Sequence, residues 1–568
     1  MGYQSEKRNC QNCKKDFVIE PEDFNFYEKI KVPDPTWCPE CRTQRRFSWR
    51  NDSSLYSRNC DLCKKSLVTI YSSESNIIPF CNKCWWSDKW EPTDYGIDYD
   101  FTKPFFEQFN ILVRKVPHIA MVNDNGVGSV NSEYTHDFSF SKNCYMVFCA
   151  WNVENAMYSY YLIAGKNISD SLNVMVNNEW IYESIQPENC YQVKYSHFAV
   201  NCINSSFIFD CRNCSDCFMC SGLRNNKYCF KNKQYSKEEY EKILNEYRLD
   251  TFSGVEKAQK EYDQFILITP RRFASVIHSC NCTGDLITNG KNSKDCFNLQ
   301  SPENCRFVIN SDSPTESYDL LASGKNSECY EGVTSDHSNR NLFGVFSWKS
   351  QNIEYTQHCH SSKNLFGCVG LRNKEYCILN KQYTKEEYFK LVDKIKKQMD
   401  EVPYINNNGI IYKYGEFYPI EFSVFGYNET LAQERFPLSK AETINKGYVY
   451  QVNFQKTVNK ETLKPSEIPE SIFDVDENIT KEILRCIDCS RNYKITNDEF
   501  LFYKKMQIPI VRRCFYCRHA NRIKRRNPYK LWHRNCMHED CTNEFETSYA
   551  PDRPEIVYCE KCYQQAVF

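Results

Sequence analysis

With 568 residues, 33 cysteines, 15% aromatics and a formal net charge of −1, the chain is not a polycation, so any grip on nucleic acid has to come from locally segregated charge. It contains no run of about 18 apolar residues, which excludes a membrane-spanning helix by hydropathy, and no basic segment followed by an apolar run of the secretory type near Met1. So many cysteines then point to metal ligation in a reducing, cytoplasmic setting, and the length accommodates roughly three to five domains.

Residues 1–100 carry four Cys-x2-Cys pairs: Cys10 and Cys13, Cys38 and Cys41, Cys60 and Cys63, Cys81 and Cys84. The stretches 14–37, 42–59 and 64–80 separate successive pairs. Two such pairs a loop apart supply the four tetrahedral thiolates of a structural zinc site, so two sites are expected here. Zinc adds on the order of 10 kcal/mol of folding free energy to modules too small to be held by burial alone. Residues 42–50 contain no Gly or Pro and read as a helix behind the second pair, an arrangement of the treble-clef kind. Arg42, Arg46 and Arg50 recur at every fourth position and share a face of it. Together with Arg58 and the rings of Trp49 and Tyr56 they form a candidate phosphate-gripping surface. The alternatives are a plain solvated surface or that these arginines offset the formal charge, about −2, of a four-thiolate zinc site. That suits Arg42, next to a ligand, better than Arg50, about two helical turns away.

From about Asp124 the texture changes. A turn-forming cluster, residues 123–128, is followed by short recurring runs of a polar residue, a small residue and an aromatic, such as Asn143-Cys144-Tyr145, Asn189-Cys190-Tyr191 and Glu328-Cys329-Tyr330. Several return at the twelfth position, as Cys217 to Cys229 and Ser317 to Cys329. This predicts short alternating strands stacked into a parallel β-helix-like array with cysteines packed inward. The array is duplicated. The run from Cys220 to Tyr240 returns as Cys368 to Tyr388, and each copy ends in a capping box, Ser236 with Glu239 and Thr384 with Glu387. Helices are predicted from Ser236 to Phe265, broken near Gly254, and from Thr384 to about Asp400, each closing an array end. Cys211, Cys214, Cys217 and Cys220, spaced three apart, approach an iron–sulfur run. Two of the four are missing from the internal copy, where Ser362 and Leu365 stand, which favours packing or a fifth zinc. His358 and His360 are a candidate ligand pair on one strand face, or a packed pair.

Residues 401–484 hold an aromatic segment, with 422–436 reading as packed loop, and an acidic linker from Pro465 to Glu482 placed to shield the basic block beyond it. Residues 485–568 then repeat the first module pair: Cys486 and Cys489, Cys514 and Cys517, Cys536 and Cys541, Cys559 and Cys562. The stretches between them, 490–513, 518–535 and 542–558, match in length those of the N-terminal set. Arg518, Arg522 and Arg526 occupy the places of Arg42, Arg46 and Arg50, and Arg534 that of Arg58. From Arg485 to Asn535 fourteen basic residues face three acidic ones, including Lys524 and Arg525, with Trp532 as a stacking ring. This is the strongest candidate footprint for nucleic acid in the chain.

The units Cys10 to Arg50 and Cys486 to Arg526 resemble the zinc-ribbon or treble-clef module of bacterial proteins. The wider chain resembles an uncharacterised family of multi-zinc-site proteins from reduced-genome bacterial lineages. The segments that carry the likeness are Arg50-Asn51 with Leu55-Tyr56, Cys84 to Trp90, Phe105 to Phe109, Gly426 to Thr430 and Asn527 to Trp532. The resemblance implies architecture and zinc, and no activity.

The expected fold is mainly β with α: a central duplicated β-solenoid-like array flanked at both ends by tandem four-cysteine modules. The expected units are residues 1–100, a first array over 101–265, a second over 266–400, the linker 401–484 and the last modules over 485–568. The expected function is that of a non-enzymatic protein holding four zinc ions and binding nucleic acid, structured RNA rather than a DNA sequence, through its basic helices. The alternatives are a protein-interaction scaffold built on the array and, further off, a β-helix enzyme acting on carbohydrate. No catalytic residues are assigned, because no Gly-rich phosphate loop, His-x-Glu deaminase pattern or Cys–His signature is present and closed all-thiolate sites leave no open coordination position.

Overall fold

The backbone of the array region obeys a three-residue rule. In the computed structural model, which describes residues 2–124, 127–166, 172–179, 182, 188–454 and 456–567, every third residue from Asn131 to Tyr161, from Asn189 to Met219 and from Asn289 to Ala322 takes a positive φ. The left-handed conformation costs an L-residue roughly 1–2 kcal/mol and is tolerated best by Gly, Asn and Asp, which is why Asn recurs there. The next residue is buried and small or apolar, as Cys144 after Asn143, Ala156 after Asn155 and Cys202 after Asn201. The third pairs with its counterpart at the twelfth position onward: Tyr145 with Met157, Tyr191 with Ile203, Lys294 with Arg306.

Longer strands keep that offset and are parallel, as Phe148 with Tyr160, Ser206 with Phe218, Tyr318 with Tyr330 and Lys363 with Glu375. The second array forms one sheet of eleven strands in chain order, from Val276–Ile277 to Lys381–Gln382. The first forms sheets over His136–Ser139 to Leu172–Glu179 and over Ser206–Phe209 to Lys233–Gln234. Side chains pin successive layers together. Asn131 donates to Asn143 and Asn143 to Asn155, each at 2.9 Å, and Asn298 donates to Asn310 at 2.7 Å. Ser293 Oγ accepts from the Cys305 N–H at 3.2 Å and donates to the Lys291 carbonyl at 3.0 Å, so a polar side chain sits inward without loss.

One expectation is corrected here, and the run of four cysteines is located. The period is three rather than the two of an alternating strand, because a left-handed residue breaks each strand after a few residues. Cys211, Cys214, Cys217 and Cys220 are four successive inward positions; their thiols donate to the carbonyls of Phe209, Arg212, Ser215 and Phe218 at 3.3–3.5 Å, and they do not join the sulfur groups that gather among the described residues. Asn125 and Gly126 of the opening turn cluster lie outside the described residues.

Both capping boxes form, at Ser236 with Glu239 and Thr384 with Glu387. The first closing helix is two, Lys237–Tyr247 and Phe252–Leu267. Arg248 in the left-handed conformation ends one and Thr251 caps the next, so the break precedes Gly254. The second is a single helix, Lys385–Glu401. The aromatic segment after it packs inward through Phe417, Tyr418, Phe425 and Tyr427. In the acidic linker Ile472 is buried and Glu470 pairs with Arg512 at 2.5 Å.

The end modules fold back crosswise. Residues before 124 pack on the second array: the Trp85 and His360 rings meet edge to face, Arg372 lies over Trp85, and the Ile97 N–H bonds the Leu379 carbonyl. The third module packs on the first array, with the Phe515 and Tyr160 rings parallel at 6.0 Å. The fourth joins the seam between arrays, where Arg271–Arg272 pairs with Val557–Tyr558. His358 and His360 flank inward Cys359 and part company: His358 meets Tyr71, His118 and Phe346, and His360 meets Trp85, Trp86 and Trp348. They pack where the N-terminal residues meet the second array rather than converging as a ligand pair.

Burial pushes His118 down to about 4 and both His136 and His360 down to about 3. A histidine neutral in the folded chain but protonated near pH 6.5 when unfolded contributes stability above that pH and loses it as pH falls toward the folded value. Stability is therefore expected to fall below about pH 6.5 by about 1.4 kcal/mol per pH unit for each such histidine. His360→Phe, which keeps the ring packing, should make the slope shallower by about that amount in urea titrations between pH 6.5 and 5; an unchanged slope would remove His360 from the account.

Candidate metal centres and the arginine helices

Each four-cysteine set is built the same way. The first pair lies between two antiparallel strands, Glu6–Asn9 with Asp16–Ile19, Tyr56–Asn59 with Ser66–Thr69, Leu484–Arg485 with Asn492–Tyr493, and Trp532–Asn535 with Glu544–Thr547. The second pair opens a helix: Cys38 caps Pro39–Phe47, Cys81 caps Asn82–Trp85, Cys514 caps Phe515–Arg525, and Cys559 precedes Glu560–Val567. A helix N-terminus favours thiolate charge. Backbone N–H groups point at the sulfurs: Cys38 N to Cys10 Sγ at 3.2 Å, Cys81 N to Cys60 Sγ at 3.3 Å and Cys559 N to Cys536 Sγ at 3.2 Å.

In all four sets the sulfurs lie within 4.8 Å of one another. One sulfur pair spanning the two halves of each set lies at 3.7 Å (Cys13–Cys38), 3.9 Å (Cys63–Cys81), 3.6 Å (Cys489–Cys514) and 3.8 Å (Cys541–Cys559). A disulfide needs about 2.05 Å. A tetrahedron with metal–sulfur bonds of about 2.3 Å has edges of about 3.8 Å. The sixteen cysteines therefore fit four tetrahedral metal ions, zinc being the usual occupant of such a set. Hydrogen bonding from the facing cysteine, Cys38 for Cys10 and Cys514 for Cys486, holds Cys10 far below the usual thiol range and pushes Cys486 down to about 4.

The arginines go the other way from the sequence expectation. Arg42, Arg46 and Arg50 are at most 1% exposed, and Arg518, Arg522 and Arg526 at most 9%. Asp319 bridges the first two, at 2.9 Å from Arg42 Nη2 and 2.8 Å from Arg46 Nη1. Arg45, one residue off the row, reaches Glu331 at 2.7 Å and Glu416 at 2.6 Å. Arg50 pairs with Asp52 at 2.8 Å and with Asp137 of the first array at 2.7 Å, and also donates to Thr334 of the second. Asp319 and Glu331 occupy matching places on two paired strands, hence on adjacent layers. Adjacent strands lie about 4.8 Å apart and one helical turn rises about 5.4 Å, so successive turns of the helix meet successive layers. Burial opposes the Arg42 cation, but Asp319 beside it keeps its pKa well above the usual arginine value.

The C-terminal copy docks similarly. Arg518 lies over Tyr158 at 4.9 Å and donates to the Arg513 carbonyl at 3.0 Å, while Tyr158 donates to Glu499 at 2.7 Å. Arg526 lies over Tyr529 at 5.5 Å. Arg58 and Arg534 brace their own modules, donating to the Ser72 and Ala550 carbonyls at 3.0 and 3.2 Å. The outward cationic ridge expected of these arginines is thus replaced by buried docking contacts, because carboxylates and rings of the arrays face them. Of the expected nucleic-acid contacts, Lys524 is exposed and Arg525, Arg534 and Trp532 are half-buried, with Lys530 over the Trp532 ring at 5.5 Å. Trp49 and Tyr56 are buried. The residues that sequence reasoning missed are Arg45 and the acceptors Asp319, Glu331, Glu416 and Asp137. The array interval that separates Asp319 from Glu331 was the signal that could have found two of them.

No protein-family model and no curated protein matches this chain. Among solved structures, a crystal structure from Desulfovibrio desulfuricans G20, provisionally titled an acetyltransferase, covers 47% of this chain and 73% of its own at 11% identity, with a TM-score of 0.10. A likeness that slight carries no argument about fold or function.

Removing one partner of a buried ion pair costs about 3–5 kcal/mol, whereas an exposed surface change stays within about 0.5 kcal/mol. Arg46→Ala is expected to lower stability in the first range and Lys524→Ala in the second, read by urea unfolding of the metal-loaded chain. Equal effects would contradict the docking role of Arg46.

Proposed function

We propose that this chain is a non-enzymatic zinc protein that serves as a rigid platform for a protein partner. In this reading four zinc ions shape treble-clef modules, and the modules clamp a duplicated β-solenoid whose coils each span one array interval. The observation that carries it is the inward turn of the arginine helices, which makes them internal joints instead of ligand-binding surfaces. The parallel pairing at a constant offset supports the solenoid, since it repeats layer after layer in both arrays. The four-sulfur sets support structural zinc over catalytic zinc, because four protein ligands leave no position for substrate or water. Rigid arrays of this kind present extended surfaces suited to protein partners.

A second reading, nucleic-acid binding, is favoured by one remaining feature: Lys524, Lys530, Arg525, Arg534 and Trp532 stay at least partly accessible around the fourth module. It is confined to that small patch, where a Lys over an indole can accompany base stacking. No helix in the described residues is long and apolar enough to cross a membrane, so neither reading involves a membrane-spanning helix.

Affinity capture of the tagged full-length chain from its own cells, with and without nuclease, separates the two. The platform reading expects the same protein partner to be retained after nuclease, and captured equally by Lys524→Ala/Lys530→Ala. Loss of every partner on nuclease treatment, together with loss on that double substitution, would replace it with the nucleic-acid reading.

A further inference from the structure

A cavity of about 170 Å³ opens where the two arrays and the C-terminal modules meet. Three pieces distant in sequence form it: residues of the first array between Glu188 and Arg212, residues of the second between Arg272 and Gln300, and Asn527 with Tyr549 from the last modules. Ligand sites favour such junctions, where concave apolar walls carry a few converging polar groups.

Its walls divide by chemistry. Phe198, Phe209, Ile277, Leu286 and Leu299 supply apolar surface. Asp285 is fully committed to the protein: it accepts from the Ser275 and Leu286 N–H groups at 2.9 and 3.0 Å and from Ser548 Oγ at 2.6 Å. Asp210 is likewise engaged by Arg224 at 3.1 Å and by the Tyr563 hydroxyl at 2.5 Å. The cations are not used up in the same way. Arg212 and Arg272 both line the cavity, and the Nε–H of each is buried without a hydrogen-bond partner. Arg212 Nε stands 3.6 Å from Asp210, an ion pair beyond hydrogen-bond length, and Arg272 reaches Glu560 through Nη2 at 3.2 Å and lies over the Tyr563 ring at 5.5 Å. A buried donor left unpaired is costly, and a guanidinium donor is best satisfied by a carboxylate or phosphate oxygen.

We propose that this cavity binds a small organic monocarboxylate with a short apolar body, its carboxylate taken by Arg212 and Arg272 and its hydrocarbon part set against Phe198, Ile277 and Leu286. The role proposed for the site is binding alone. Because its walls come from both arrays and the last modules, an occupant bridges units that are separate in sequence.

The test is isothermal titration calorimetry of the full-length, metal-loaded chain with hexanoate and benzoate, and with inorganic phosphate as the anion lacking an apolar body. Saturable one-to-one binding of at least one carboxylate, tighter than phosphate, is expected. Arg212→Gln should weaken it roughly tenfold, as loss of a charge-assisted hydrogen bond does, and Thr288→Phe should abolish it by filling the cavity. Retained metal content and circular dichroism establish that each variant is folded; if Thr288→Phe does not fold, Arg212→Gln decides alone. Absence of carboxylate binding, phosphate binding as tight as either carboxylate, or affinity unchanged in folded Arg212→Gln would overturn the proposal.

Discussion

A guanidinium cannot be taken out of water without an opposite charge or a ring to meet it, and that constraint organises this molecule. Two helices, Pro39–Phe47 and Phe515–Arg525, carry Arg42 with Arg46 and Arg518 with Arg522; the first ends before the expected residue 50, so Arg50 and Arg526 stand just past the helix ends, and all six arginines are docked inward. The carboxylates that receive the first helix, Asp319, Glu331, Glu416 and Asp137, come from both arrays and from the segment after them. Arg50 contacts both arrays, so one side chain ties the N-terminal modules to each half of the duplication. Buried ion pairs are a poor source of net stability, because desolvation offsets much of the attraction. Their contribution here is register: a slip by one layer would leave Asp319 and the Arg42–Arg46 pair buried apart.

The four-cysteine sets set up that docking. Each places its second sulfur pair at a helix N-terminus, so a metal ion held there would fix where the helix starts and thus which residues face the array. The net charge of −1 hides this division of labour. The basic block near the C-terminus is locally dense, yet Arg512, Arg513, Arg518, Arg522 and Arg526 are wholly or largely engaged with protein: Arg512 with Glu470, Arg513 with Glu256 and Asp488, Arg518 and Arg522 on the docked helix and Arg526 at its end. Basic residues clustered in sequence were answered by acids and rings clustered in space.

Much of this could be read from sequence. The sulfur sets were legible because ligand spacing is local and repeats between the two ends. The array interval was legible because Ser, Cys and Ala recur at inward positions, interspersed with larger apolar residues such as Ile208 and Leu320. The three-residue backbone period was not inferred, although Asn-Cys-Tyr runs display it, because two is the period that strands ordinarily impose. The orientation of the arginine rows was not legible for a different reason. Helical spacing fixes which side chains share a face, while what lies opposite that face is set by contacts far along the chain, as between Arg42 and Asp319.

Amide hydrogen exchange in the helix Pro39–Phe47 and in the strands Tyr318–Ser323 and Tyr330–Val333, followed before and after stripping the metal with a chelator, bears most directly on the central claim. The account predicts slow exchange in all three segments of the metal-loaded chain and a joint loss of protection once the sulfur cage is emptied. Rapid exchange of the helix in the loaded chain, or strands whose protection ignores the helix altogether, would contradict it.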